Sequence, residues 1–427
     1  MNSHRARLAP MLYDPTNHGA AATHASLVAP AASVRVPKMR ITFISPTVNM
    51  GGGTRVVVIY AQQLMRMGHS VRIISPPPRV PQLPQRVRAW LRGTGWSGDP
   101  SAPKSYLEGS GVSHHVLDRW RPVVNDDVPD GDVVIATWWE TAEWVSALDP
   151  NKGAKAYFIQ HHEVFSYLPV ARCQATYRLP LHKIVVARWL KQLMSIQYAD
   201  NVVDVVPNSV DRTQFFSAVR GKQSAPTVGF LYSTVPFKGL DVSLAALRIV
   251  RENLPNLRMI CFGSETPRPD LALPNGTQFF LSPPQDEIRN LYSCCDVWLT
   301  ASRSEGFNLP ALEAMACRTP LVATRTGWPE EAVKSGANGV LVNVDDWIGL
   351  AQGLQWVLSR SDQDWRNLSS NAYATSALGS WEASAEMFEK ALEHACRRSA
   401  CSEIAGKCAY PLPGDPPARA AETKTKR

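Results

Sequence analysis

The sequence predicts an α/β protein of two domains, each a doubly wound parallel sheet, facing one another across a cleft. Three observations carry this. Short apolar runs of strand length alternate with stretches of helical spacing. They form two series, 39–211 and 227–378, separated by an aperiodic stretch at 212–226. A chain of 427 residues also exceeds what one ordinary core serves,. In paired sheets of this kind, ligands bind at the carboxyl ends of the strands.

The first series opens on Arg40-Ile-Thr-Phe-Ile-Ser45, an apolar run that reads as a buried strand,. Asn49 to Thr54 is a loop containing Gly51, Gly52 and Gly53. Arg55 to Met67 has helical spacing and stops at Gly68, a plausible cap residue,. Ser70 to Ser75 is the next strand, completing β–loop–α–β,. Further strands fall at Asp132–Ala136, Ala156–Gln160, Lys183–Val186 and Asn201–Val206. The second series has strands at Thr227–Tyr232, Arg258–Phe262, Gln278–Leu281, Val297–Thr300, Pro320–Thr324 and Gly339–Val344. Its helices are Asp241–Glu252, Gln285–Cys294, Pro310–Cys317 and Gly353–Leu358. Residues 379–396 form a last helix, expected to pack back on the first domain. Residues 1–38, rich in Ala, Pro and His, read as a flexible arm, and 397–427 as a flexible basic tail,.

The formal net charge is +8. It resides in the ends: residues 1–40 contribute +4, 397–427 another +4, and 41–396 sum to zero. A nucleic-acid reader keeps its charge on the folded domain, so nucleic acid is not an expected partner. Residues 77–121 are locally basic, with seven Arg and Lys against three acids. If helical, Val87, Trp90 and Leu91 share a side flanked by arginines. That suits an anionic membrane surface or a lipid-phosphate acceptor, and equally a solvated surface helix. No apolar run reaches the ~18 residues of a spanning helix. The eight cysteines lack CxxC pairs, and several lie in apolar runs. Those several read as buried thiols, and a reduced, cytoplasmic protein accounts for the set better than a disulfide framework does, with peripheral association on the inner membrane face kept open. His394, Cys396, Cys401 and Cys408 match no zinc spacing, and no metal site is expected,.

The strongest chemical signal is Ser304-Glu305-Gly306-Phe307-Asn308-Leu309-Pro310-Ala311-Leu312-Glu313, which follows a strand and opens a helix. Pro310 fits the first turn, where its missing N–H costs nothing. Amides around Gly306, Phe307, Asn308 and Leu309, with the helix dipole behind them, make a diphosphate site,. Glu305 and Glu313 bracket it. Carboxylates repel phosphate, so these two are suited to accept from sugar or ribose hydroxyls.

This block resembles the E-x7-E region of retaining GT-B glycosyltransferases, family four (group 1). Cys295–Ser302, Thr319–Thr324, Gly327, Gly336–Val342 and Pro207-Asn208-Ser209-Val210-Asp211 agree with it, as does the Gly51–Gly53 loop. The resemblance covers about 40–395 and is strongest in the second half. It implies a GT-B fold and transfer of a hexosyl or deoxyhexosyl group from a nucleotide-sugar donor. It further implies a glycan or lipid-linked acceptor of envelope polysaccharide synthesis, with no metal and no cofactor. The Tyr157–Tyr177 stretch resembles rhamnosyltransferase-like members. Carried over, Glu313 holds ribose, Glu305 sits by the donor sugar, and Lys238 pairs with the diphosphate. Gly52 and Gly53 belong to the donor-side loop, and a histidine after Ala156–Gln160 stands beside the reacting sugar: His161, or else His162. Two departures appear. An arginine expected six residues before the lysine is Tyr232, with Arg55 a candidate substitute. The second glycine of the family's E-G-F-G-L-P is Asn308.

Asp130-Gly131-Asp132 resembles a metal-binding DxD of another fold but reads as turn chemistry,. Trp138-Trp139-Glu140 lies at a strand end and either lines the acceptor side or packs in the core. A dinucleotide oxidoreductase would need glycine at 56, where the chain has Val56,. A GT-B isomerase or phosphorylase shares the fold, and a non-catalytic sugar-nucleotide-binding subunit is a further alternative.

Overall fold

The structure, a computed structural model, describes residues 38–79 and 105–408. The N-terminal arm, the basic helix expected around Trp90 and the end of the tail lie outside those residues.

The N-terminal sheet contains β1 (Arg40–Ile44), β2 (Ser70–Ser75), β3 (Ser113–Val116), β4 (Val133–Ala136), β5 (Ala154–Ile159), β6 (His182–Val185) and β7 (Val203–Val205). Their order is β3-β2-β1-β4-β5-β6-β7, and every pairing is parallel. β4, β5 and β6 are buried along their whole length, as strands covered on both faces must be,. β3 escaped the sequence reading because Ser113-His-His-Val116 is a mostly exposed edge strand without an apolar run. The first helix, α1 (Gly52–Arg66), begins inside the expected glycine loop. Among the described residues, helices α2 (Trp139–Ala147), α3 (Val170–Thr176) and α4 (Arg188–Tyr198) also belong to this domain.

The second sheet contains β8 (Thr227–Tyr232), β9 (Arg258–Gly263), β10 (Gln278–Leu281), β11 (Val297–Thr300), β12 (Leu321–Thr324) and β13 (Gly339–Val342). Its order is β10-β9-β8-β11-β12-β13, again all parallel. Around it lie α5 (Leu240–Asn253), α6 (Ile288–Ser293), α7 (Leu309–Ala316), α8 (Trp328–Ala332), α9 (Trp347–Leu358) and α10 (Asp362–Ser376). The helix at 362–376 was missed although its signals are present. Ser361 caps it, accepting from the Asp364 N–H, and Trp365, Leu368 and Ala372 form its buried stripe.

Residues 212–226 contain no helix or strand, yet they are fastened down. Phe215 is fully buried, and Lys222 Nζ donates to the carbonyls of Leu358 and Arg360. The last helix, α11 (Trp381–Ala400), crosses back to the first domain. Phe388 stacks on Tyr60 at 4.6 Å, Trp381 meets Tyr60 edge-on, and Ser384 Oγ donates to the Pro207 carbonyl at 2.7 Å.

Two expectations about this end are corrected. The chain is not a free tail from 397: the helix runs to Ala400, and 401–408 docks on the first domain. Ala405 accepts from the Lys155 N–H and donates to the Pro180 carbonyl, while Lys407 donates to the Pro150 carbonyl. Nor are all eight cysteines thiols, because Cys396 and Cys408 form a disulfide, their Cα atoms 5.2 Å apart,. His394 turns away from them to Asp204, whose Oδ2 also meets His182 Nε2 at 2.9 Å. Arg398 lies 3.2 Å from His182 Nδ1 and donates to it, which leaves the imidazole proton on Nε2,. These four side chains are therefore a hydrogen-bonded clasp between α11 and the sheet. Among the described residues, no helix is long and apolar enough to cross a membrane.

Candidate active site at the domain interface

The block around Pro310 sits where β11 ends. α7 starts at Leu309, and its cap is Asn308, held at φ +83°. Asparagine is among the few residues that accept this left-handed conformation. The substitution of the family's glycine thus preserves the backbone and adds two bonds. Asn308 Oδ1 accepts from the Ala311 N–H at 3.3 Å, and Nδ2 donates to Thr300 Oγ1 at 2.9 Å. Ala311's amide is therefore taken by the protein itself. Among the described residues, the amides of Gly306, Phe307, Asn308 and Leu309 have no protein partner. Gly306, Phe307 and Asn308 are buried. Consecutive unpaired N–H groups in such backbone call for water or a ligand.

Glu305 and Lys238 meet beside this run. Lys238 Nζ lies 2.8 and 3.0 Å from the two Glu305 carboxylate oxygens, and Ser302 Oγ donates to Glu305 Oε1 at 2.7 Å. Lys238 is carried by the turn Pro236–Lys238, which ends at Gly239 with φ +62°. A Cβ on Gly239 would stand 2.0 Å from the Ala301 carbonyl oxygen, so only glycine lets this turn pack against the loop that carries Glu305,.

From the opposite domain, the end of β5 presses on the same loop. A Cβ on Gly306 would stand 1.7 Å from the Gln160 carbonyl oxygen. His161 follows, with Nε2 3.4 Å from Ser304 Oγ and Nδ1 3.0 Å from the His162 carbonyl. Burial pushes the His161 imidazole below its ordinary range, the nearby Glu305 charge notwithstanding, so it is neutral at neutral pH,. His162 points the other way, bonded to Tyr198 Oη at 2.7 Å, and burial lowers it to about 4. Of the two, His161 is the one brought to Ser304 and Glu305. An aromatic ladder spans the interface here. Tyr167 stacks on Phe165 at 5.4 Å, and Phe165 stacks on Phe237 at 4.5 Å, next to Lys238.

Glu313 is buried and fully engaged. Arg55 Nη1 lies 2.6 Å from its Oε1, and Tyr292 Oη donates to Oε2 at 2.9 Å. Burial opposes the Arg55 charge, and the Glu313 carboxylate more than offsets this, leaving Arg55 above its ordinary range. Arg55 is thus committed to Glu313 in this arrangement and stands 5.4 Å over the Phe215 ring. Tyr232 is a core residue, its hydroxyl accepting from the Arg268 N–H at 2.7 Å. Gly52 and Gly53 lie in the first turn of α1, where Gln160 Nε2 donates to the Gly53 carbonyl at 3.2 Å. Asp132 binds Arg40 and Asp130 binds Lys152, both before β4 begins and at the end of the sheet away from this site.

The space enclosed by Lys238, Glu305, Thr300 and Asn308 is about 20 Å³, room for about one water,. Sequence reading found the charged groups but missed Gln160, Tyr292, Ser302, Phe165 and Phe237. Their contacts join segments far apart in the chain, and single sequences carry no signal for them.

Fold and site together define a GT-B protein. Residues 211–375 match the sequence model described as glycosyl transferases group 1. The D-inositol 3-phosphate glycosyltransferase of Corynebacterium urealyticum is 34% identical over 154 residues, 33% of this chain and 36% of that protein. Its counterpart in Mycobacterium marinum is 31% identical over 217 residues, 45% of each chain. The matches thus span less than half the length of these curated relatives. Among solved structures, sucrose-phosphate synthase of Thermosynechococcus elongatus aligns with TM-score 0.63 at 16% identity, covering 83% of this chain and 98% of that one. Anabaena Alr3699/HepE in complex with UDP-glucose aligns with TM-score 0.62 at 16% identity, covering 83% and 99%. At this identity the two show the fold.

Proposed function

We propose that the chain transfers a sugar from a nucleotide-sugar donor to an acceptor hydroxyl, with retention and without a metal. The observation that carries this is the run of four unpartnered amides at 306–309, flanked by Lys238 and by two buried glutamates. Amides and the lysine ammonium stabilise the diphosphate as charge grows on the leaving group. Glu305 accepts from donor-sugar hydroxyls, and Glu313 accepts from ribose once Arg55 yields. The neutral His161 bonds the sugar and is not required as a base, since the donor phosphate can take the acceptor proton.

In this proposal the domains part to admit the donor and close again for transfer, a gated cycle. The relatives named as glycosyltransferases support sugar transfer, and the neighbour solved with UDP-glucose supports a nucleotide-sugar donor. A glycan or lipid-linked acceptor, envelope polysaccharide synthesis and peripheral membrane contact belong to the same proposal. Binding and cleavage measured over UDP-, GDP- and dTDP-sugars test it. Lys238→Ala and Glu305→Ala should each lower turnover by about 100-fold or more while the protein stays folded. Normal cleavage by either variant removes that residue from the mechanism. No binding of any nucleotide sugar by the wild type ends the proposal.

A further inference from the structure

A second cavity, of about 860 Å³, opens on the N-terminal domain, bounded by Gly53 and Gln160 on the side nearest His161. Its walls include four of the chain's thirteen tryptophans, Trp120, Trp138, Trp139 and Trp144, together with Tyr167. Core packing accounts for Trp139 and Trp144, which are buried, but not for Tyr167, whose surface is 63% exposed. Tyr167 is also held still. Its ring lies within 9° of parallel to Phe165, and Phe165 is stacked on Phe237 in turn. A large aromatic ring that is exposed yet rigidly backed is preorganised for a flat partner. Trp138, half-buried, lines the same space. The buried indole N–H of Trp139 has no partner among the described residues.

Each charged side chain of the described cavity wall is paired. Arg79 lies 2.9 Å from Glu140, and Arg172 binds both oxygens of Glu143 at 2.7 and 2.5 Å. Those two arginines and Glu140 are the charged groups in its described wall. Among the described residues of its wall, an anionic acceptor would meet no uncompensated cation. A neutral pyranose offers what fits: an apolar C–H face for the rings and hydroxyls for Asn49, Thr47 and Glu140,.

We infer that this cavity is the acceptor site and that it takes the end of an uncharged glycan, a sugar ring lying on Tyr167 beside Trp138. The inference rests on the transferase reading above and narrows it. Two ring steps, 5.4 and 4.5 Å, lead from Tyr167 to Phe237 beside Lys238, which keeps the bound sugar within reach of the donor site.

The test separates acceptor from donor. Binding of neutral oligosaccharides, of an inositol phosphate and of vesicles containing lipid phosphate is measured on the full chain by calorimetry. UDP and UDP-sugar binding is measured apart. A neutral oligosaccharide should bind, and Tyr167→Ala and Trp138→Ala should each weaken it about tenfold with the UDP affinity unchanged. Tyr167→Phe, which keeps the ring, should restore binding. Trp347→Ala, on the exposed start of α9, is the control and should change nothing. Undiminished glycan binding by Tyr167→Ala, or binding only of the phosphorylated compounds, overturns the inference. If UDP-sugars bind and are cleaved but neutral glycans do not bind, this inference fails and the transferase reading stands. If the glycan binds and no nucleotide sugar does, the transferase reading fails and with it the acceptor role, while the glycan site on Tyr167 stands.

Discussion

Gly306→Ala is the substitution whose outcome most directly tests the closed arrangement. The added Cβ would lie 1.7 Å from the Gln160 carbonyl oxygen, 2.7 Å from its carbon and 3.2 Å from His161 Cα. Contacts below 3.0 Å essentially never occur, so the two loops must separate by roughly 1.3 Å,. The neighbour is backbone, and no side-chain rotation relieves the clash. Gln160 directly follows β5, which is paired on both sides, to β4 and to β6, and cannot retreat. The strain is relieved most cheaply by moving one domain against the other, because each keeps its own sheet and helices. His161 would then stand about 1 Å too far from Ser304 and Glu305. Misplacement on that scale costs about 100-fold in rate. The expected result is a fall of about 100-fold in kcat for nucleotide-sugar cleavage, with donor affinity within a few-fold of wild type and little change in Tm. Steady-state kinetics, UDP binding and thermal unfolding on the same preparation measure all three. Turnover within threefold of wild type would refute the claim that this contact closes in the working enzyme. A collapse of Tm would refute the claim that the strain goes into domain separation.

Asn308 should behave as a glycine substitute that also caps. Asn308→Gly should cost only a few tenths of a kcal/mol, and Asn308→Ala about 2 kcal/mol from left-handed strain and the lost cap, read by denaturant unfolding. Arg55→Ala leaves Glu313 buried with Tyr292 alone, so stability should fall by about 3 kcal/mol, and the Arg55→Ala/Glu313→Gln pair should recover part of it. Glu163 accepts from the Trp139 N–H at 2.8 Å, and burial holds its carboxyl well above the usual range. A raised native pKa stabilises at low pH, and this contribution is lost as pH rises through it. Wild type should therefore lose Tm relative to Glu163→Gln as pH climbs above the ordinary carboxylate range; parallel curves for the two would refute this. His162, lowered to about 4, has the opposite sign: its contribution is lost as pH falls from about 6.5 toward 4, a slope His162→Gln should lack,.

What could be read from the sequence follows from which interactions are local. β1, β2, β8 and β11 are buried apolar runs, and their strand character is written in consecutive residues. α7 was legible for the same reason, since Pro310 and the acids at 305 and 313 lie on one stretch of chain. β3 was not, because an edge strand tolerates Ser113 and two histidines. The site divides along the same line. Glu305, Glu313 and Lys238 announce themselves by residue type within short motifs, whereas what each is bonded to does not. Arg55 reaches Glu313 across 258 positions, and His161 reaches Ser304 across 143. The tail from 397 read as mobile because its composition is basic and Pro-rich, and composition does not record that Ala405 completes hydrogen bonds with Lys155 and Pro180. Tyr232 shows the limit most sharply. Placed in line with a phosphate-binding arginine, it looked like a gap in the catalytic set. It is instead a core side chain whose hydroxyl ties down Arg268 and Leu271. Under the proposed function, the cation balance of the site rests on Lys238, with Arg55 held in reserve on Glu313. Releasing Arg55 when ribose claims that carboxylate would deliver a second positive charge at the moment the diphosphate arrives.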